Sequence, residues 1–134
     1  MGLFSGKRPA DLGVRNGKLK APPSTPNAVS SQATGGDHRI EPLAYKGAQE
    51  QAMQTLKQLV ETTPRARFVE IRNDYLYAEY SSALVGFVDD VEFYFVPNEK
   101  IIHVRSASRL GYSDLGVNRR RIESIRAKLA QSGA

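Results

Sequence analysis

Phe87-Val-Asp-Asp-Val-Glu-Phe-Tyr-Phe-Val-Pro-Asn-Glu-Lys-Ile-Ile-His-Val-Arg-Ser-Ala107 holds two runs rich in Val, Ile, Phe and Tyr, residues 87–96 and 101–107, parted by Pro97 to Lys100. β-Branched and aromatic residues favour extended chain, and a four-residue break holding Pro and Asn favours a turn. The stretch is therefore a β-hairpin. If its arms pair symmetrically about the turn, Phe95 faces Ile102, Phe93 faces Val104 and Glu92 faces Arg105. Two apolar pairs then share one face and an ion pair lies on the other; a slip of one residue would turn every apolar side chain the wrong way.

Working upstream, residues 67–72 and 75–81 alternate apolar with polar around Asn73-Asp74, the signature of a first hairpin with a two-residue turn. From Glu41 the period changes. Tyr45, Ala48, Ala52, Met53, Leu56, Leu59 and Val60 recur at steps of three and four, which predicts a helix with Pro42 in its first turn and Pro64 beyond its end. Downstream, Ile122, Ile125 and Leu129 predict a second helix, with Asn118 as its cap. Helix, four strands and helix pack most economically as an α+β domain over residues 41–134: a four-stranded antiparallel meander covered by two helices. The other face of the sheet would be partly polar, carrying Glu92, Tyr94, His103 and Arg105. Residues 1–40, with Pro9, Pro22, Pro23, Pro26 and Gly35-Gly36 and no apolar period, read as an extended or partly disordered basic N-terminal segment.

At 134 residues, 40% hydrophobic and 25% charged, the chain suits one ordinary domain. No apolar run approaches the roughly 18 residues of a spanning helix, and the first residues lack the apolar stretch of a secretory signal. Gly2 resembles a myristoylation start, but Gly6 stands where Ser or Thr is required. The expected location is cytoplasmic. With no cysteine, disulfides, thiolate nucleophiles, iron–sulfur clusters and cysteine zinc sites are excluded. His38 and His103 have no second histidine at ligand spacing, so a metal site would need oxygen ligands alone; neither metal nor cofactor is expected. Charge is unevenly placed: Lys and Arg outnumber Asp and Glu by six to two over residues 1–40 and seven to two over 101–134, whereas residues 41–100 hold six against ten. Basic ends attract polyanions, but no aromatic residues interleave with them, and nucleic acid is not the expected partner.

Between the last strand and the last helix runs Arg105-Ser-Ala-Ser-Arg-Leu-Gly-Tyr-Ser-Asp-Leu-Gly-Val-Asn-Arg-Arg-Arg121. Arg119, Arg120 and Arg121 fall in a first helical turn, where the macrodipole disfavours cations, so something must compensate. An anion held by arginines, loop amides and hydroxyls would do so, with Arg105, Ser106, Ser108, Arg109, Tyr112, Ser113, Asn118, Arg120 and Arg121 as its binding residues. Asp89 and Asp90, with Asp114, are structural or acid–base candidates. Strand alternation sends Asp89 inward beside Val91, Phe93 and Phe95 and Asp90 to the other face, so Asp89→Ala is expected to cost about 1–3 kcal/mol more than Asp90→Ala. The two cannot act together as a glycosidase pair. Gly111 to Gly116 has the glycine spacing of a phosphate loop but continues Val-Asn where Lys and Ser or Thr belong, and it is no nucleophile elbow. Three readings stay open: a small anionic ligand or an acidic protein surface bound at residues 105–121; a hydrolase or lyase using Asp89 or Asp90 as base beside arginines; and an interaction module whose charges form a structural network. Whether the chain is an enzyme is left open.

Pro23 to Ser31, Gly86 to Phe93 and Arg105 to Arg121 together resemble the domain-of-unknown-function family 1499, over about Leu12 to Leu129. The resemblance lends no activity. It implies that Asp89, Asp90, Arg105, Ser106, Ser108, Arg109, Tyr112, Asp114 and Asn118 belong together, and that the proline-rich start belongs with the domain. Many members read Cys-Pro-x-x-Pro-Asn-Cys where this chain has Pro22-Pro-Ser-Thr-Pro-Asn-Ala28. The joint absence suits a pair that formed a disulfide or shared a metal, and it implies that the motif near Arg105 persists without them.

Overall fold

Over residues 5–134, the part of the chain that the computed structural model describes, the strands are β1 (Ala28–Ser30), β2 (Leu43–Ala44), β3 (Ala66–Ile71), β4 (Tyr75–Ser81), β5 (Val88–Phe95) and β6 (Ile101–Ser108). Two helices, α1 (Gln49–Glu61) and α2 (Val117–Ser132), stand before β3 and after β6, and a single 3-10 turn spans Gly36–His38. The class is α+β, as the periods imply. Phe95 faces Ile102, Phe93 faces Val104 and Glu92 faces Arg105, the register expected from the turn. The meander β3-β4-β5-β6 is antiparallel throughout, with one bulge in β3 between Phe68 and Glu70.

The sheet nevertheless has six strands, not four. β1 and β2 lie end to end on the outer edge of β6, Ala28 to Ser30 against Ala107 to Arg105 and Leu43 against Ile102. An unpaired edge exposes a row of backbone donors and acceptors, and two short strands suffice to cover it. At three and two residues neither is long enough to show a period. β2 also corrects the first helix, which begins at Gln49 rather than near Glu41. Leu43 is wholly buried, the Tyr45 ring lies 5.9 Å from that of Phe95, and Ala48 is still extended (φ −73°, ψ 150°). The spacing of Tyr45 and Ala48 continued the helical series by coincidence. α2 is corrected at its cap. Gly116 takes the left-handed conformation (φ 82°) before the first turn, and the Asp114 carboxylate accepts the N–H groups of Gly116 (2.8 Å) and Asn118 (3.0 Å). Asn118 lies inside the helix, fully buried.

The helices cover one face of the sheet. Ala52, Met53, Leu56 and Val60 of α1 and Ile122, Ile125 and Leu129 of α2 recur at three and four residue steps and pack on Leu76, Val91, Phe93, Phe95, Ile102 and Val104. Fully burying one of the larger side chains among them, Val, Leu, Ile, Met or Phe, stabilises the fold by about 1.5–3 kcal/mol. The second face is also covered. There Tyr75, Tyr77 and Tyr94 pack with Leu19, Leu12 and Val14 from the N-terminal segment. Among the described residues, no helix is long and apolar enough to cross a membrane. The expectation about Gly2 lies outside the described residues.

Candidate functional site

The face under the N-terminal segment holds a buried network of charge. Antiparallel register sets Tyr77 of β4 against Glu92 of β5, Glu79 against Asp90, and Tyr75 against Tyr94. Arg109, just past β6, donates from Nε to Asp90 Oδ2 (2.9 Å) and from Nη2 to Asp90 Oδ1 (2.7 Å), and also reaches Glu79. Tyr77 donates its hydroxyl to the same Asp90 Oδ1. Glu79 further accepts from Arg8 (2.7 Å) and Arg67 (3.1 Å). Burial alone would push the Glu79 carboxyl up, but these hydrogen bonds from Arg8, Arg109 and Arg67 outweigh it and hold the group at about 2. Arg105 donates to the carbonyls of Lys20 (3.0 Å) and Ala21 (3.4 Å) and stands 3.9 Å from Glu92 Oε1. Glu92 Oε2 accepts from the Tyr75 hydroxyl and from the Gly13 N–H (2.9 Å), while burial pushes its carboxyl up. The segment's approach is close: a Cβ on Gly6 (φ 72°) would stand 3.1 Å from Leu110 Cγ and 3.2 Å from Arg109 Cβ.

The helix face holds a second, separate cluster. Arg121 forms an ion pair with Asp89 Oδ2 (2.8 Å), donates to Asn118 Oδ1 (2.7 Å) and to Ser106 Oγ (3.2 Å), and its guanidinium lies over the Tyr80 ring at 4.7 Å. Asn118 is the knot of this region. Its amide donates to Asp114 Oδ2 (2.8 Å), Ser108 Oγ (3.0 Å) and the Asn27 carbonyl (3.2 Å), and its Oδ1 accepts the Ser106 hydroxyl (2.5 Å). Asn27 in turn donates to the Gly111 carbonyl (2.8 Å). Residues 23–31 thus meet residues 105–121 directly. Burial would push the Asp114 carboxyl up, but the Asn118 and Gly116 donors win and hold it below the usual range.

These positions change how the candidate residues group. Arg105 and Arg109 serve carboxylates on one face of the sheet, Arg121 serves Asp89 on the other, and Arg120 folds back on the Leu115 carbonyl (2.9 Å). Arg119 donates to the carbonyls of Asp37 and Arg39 (both 2.8 Å). The arginines do not converge on one point. Ser106, Ser108 and Asn118 are brought together in the knot; Ser113 only accepts the Leu115 N–H (3.3 Å), and Tyr112 is 71% exposed. Asp89 does face inward, but Asp90 is buried as well, under the N-terminal segment, and has more partners. By its number of partners Asp90 becomes the costlier of the two to replace with alanine, a ranking that urea melts of both variants would decide. The histidines are bonded apart from this region: Ser31 Oγ and His103 Nδ1 share a hydrogen bond of 2.9 Å, and His38 meets the Thr25 carbonyl at 2.9 Å.

Of the clefts beside these groups, one adjoins the second cluster. It has a volume of about 420 Å³ and lies between residues 81–88, which join β4 to β5, and residues 108–117, which join β6 to α2. Asp89, Ser108, Asp114 and Arg121 line its polar part; Phe87, Leu110, Leu115 and Val117 line its apolar part, and all four apolar side chains are exposed. Asp89 gives one carboxylate oxygen to Arg121, and its Oδ1 has no hydrogen-bond partner among the described residues. Leu115 adopts φ 53°, a conformation that a bulky side chain rarely takes, and is 83% exposed. The apolar members were not among the sequence candidates, although a signal existed: Ala83-Leu-Val-Gly-Phe87 is too apolar for an ordinary loop.

A model of the family described as Protein of unknown function (DUF1499) matches residues 18–129, from ahead of β1 into the last turns of α2. No curated protein matches the chain.

Proposed function

We propose, for a chain that belongs to the DUF1499 family, a binding role in which the cleft beside residues 105–121 takes a small amphipathic ligand. Its apolar body rests on Phe87, Leu110, Leu115 and Val117, and its polar head meets Asp89 and Arg121. The observation that carries this reading is the ring of exposed apolar side chains around a concave, polar-floored space, since isolated exposed leucines are ordinary but a cluster lining a cleft is not. At the floor, Asp89 and Arg121 neutralise each other as a pair. A simple anion would meet the Asp89 carboxylate as well as Arg121, whereas a hydroxyl, amide or ammonium head donates to Asp89 Oδ1. In this cleft the anionic ligand expected from the sequence thus has, among the described residues, Arg121 alone as a lining cation. In the hydrolase or lyase alternative Asp89 is the remaining base, because both oxygens of Asp90 are engaged by Arg109 and Tyr77 away from the cleft.

An octyl series separates these cases: octanol, octylamine, octanamide and octanoate, each titrated into the full chain and followed by ligand-observed NMR. The first three should bind saturably and octanoate more weakly, and Val117→Trp, which fills the mouth, should abolish the effect. Absence of saturable binding by all four, or equal binding to Val117→Trp, refutes the cleft. Preferential binding of octanoate restores the anionic reading.

A further inference from the structure

We infer that the end of the domain carrying the loops at residues 82–87 and 110–116 docks on an anionic lipid surface. The inference goes beyond the cleft's occupancy and does not require it. β4 ends and β5 begins at this end, and β6 leaves it for α2, so both loops project from the same edge of the fold. Their tips are apolar. Leu84 is 96% exposed and Leu115 83%, with Val85 and Leu110 partly exposed and Tyr112 beside them. Protruding side chains such as Leu84 and Leu115 need a shape-matched hollow on a rigid partner, whereas the fluid boundary between headgroups and acyl chains accepts them as they stand. An aromatic ring with a hydroxyl, as in Tyr112, suits the same depth.

Charge points to an anionic surface. Arg65, held at φ 61° beside the end of β4, and Arg120, above Leu115, are exposed and have no carboxylate partner among the described residues. The two carboxylates lining the cleft are already engaged, Asp89 by Arg121 and Asp114 by the start of α2. The rim therefore presents unpaired positive charge around apolar tips, the combination that anionic headgroups over an acyl layer would attract.

The chain contains no tryptophan, so Leu84→Trp, at a position surrounded by solvent, places a single reporter at the tip without disturbing the fold. With vesicles of phosphatidylcholine containing phosphatidylglycerol its emission should shift to the blue, and with phosphatidylcholine alone it should not. Arg65→Gln and Arg120→Gln should each weaken the partition roughly fivefold, the effect of about one basic side chain near the surface. Leu115→Asp, with its circular dichroism unchanged, should remove the shift. The inference is overturned if the shift is absent. Vesicle binding with unshifted emission, reversed by salt, means adsorption without insertion and also overturns it. An equal shift with polyglutamate identifies an acidic protein surface instead.

Discussion

Replacing Arg109 with Met tests whether the charge cluster around Glu79 and Asp90 is internal architecture or a ligand site. Arg109 is nearly inaccessible and donates to Asp90 twice and to Glu79, both of them buried. Met keeps much of the apolar stem and removes the charge. Glu79 would retain Arg8 and Arg67, so the loss falls mainly on Asp90, left with the Tyr77 hydroxyl as its remaining side-chain partner. Removing one member of a buried ion pair costs about 3–5 kcal/mol, because the other charge stays desolvated. Against a total of about 5–15 kcal/mol for a domain, the variant should be folded but marginal. Urea melts at neutral pH, followed by circular dichroism, give the cost directly. The double variant Arg109→Met with Asp90→Asn should recover about 1–2 kcal/mol, since Asn leaves no stranded charge. A cost below about 1 kcal/mol, or no recovery in the double variant, would refute the network and return Arg109 to the ligand-binding candidates.

Glu79 should make stability depend on pH in the acid range. Its carboxyl is held at about 2, below its ordinary value of 4.5, so its contribution is present above 4.5 and is lost as pH falls through 2; the full amount is about 3 kcal/mol. Urea midpoints between pH 5 and 2 should fall more steeply for the parent chain than for Glu79→Gln, and parallel curves would contradict this. Asp114→Ala should cost about 1 kcal/mol by uncapping α2, with faster hydrogen exchange at Gly116 and Asn118; unchanged exchange there would argue against the cap. The chain cut to residues 41–134 should fail to melt cooperatively, because it lacks β1 and the Leu19, Val29 and Ile40 side chains; a sharp transition would show that residue 40 is a true domain boundary.

The parts of the fold legible in the sequence were those with enough residues to display a period. Eight-residue strands with a defined turn fixed the register of β5 and β6 to the residue, and the apolar steps of α2 placed its buried stripe. β1 and β2 have three and two residues and were not visible, since pairing to the free edge of β6 is a tertiary fact. The same holds for the second face of the sheet. Glu92 and Arg105 do face each other on the partly polar face, but no periodicity shows that the N-terminal segment covers them. Tyr75, Tyr77 and Tyr94 bring apolar rings with hydroxyl tips, and the segment from residue 5 to residue 21 supplies backbone donors and acceptors where water would otherwise have been needed.

The arginines show why the site was harder to see than the fold. Three cations at a helix start do require compensation, and each receives it: Arg119 from two carbonyls some eighty residues away, Arg120 from the carbonyl of Leu115, and Arg121 from Asp89. A local electrostatic conflict reveals that a partner exists, but whether that partner is a ligand or a distant part of the same chain depends on tertiary contacts. Exposed apolar residues in loops carry the opposite kind of information. Burial inside the chain would have hidden Leu84 and Leu115, and the fold leaves both in solvent. Leu115 does so from a left-handed backbone that costs about 1–3 kcal/mol, which the Asp114 bonds to Gly116 and Asn118 hold in place. Conformational cost kept for an outward-facing leucine supports the proposal that the apolar rim, rather than the arginines, meets a partner.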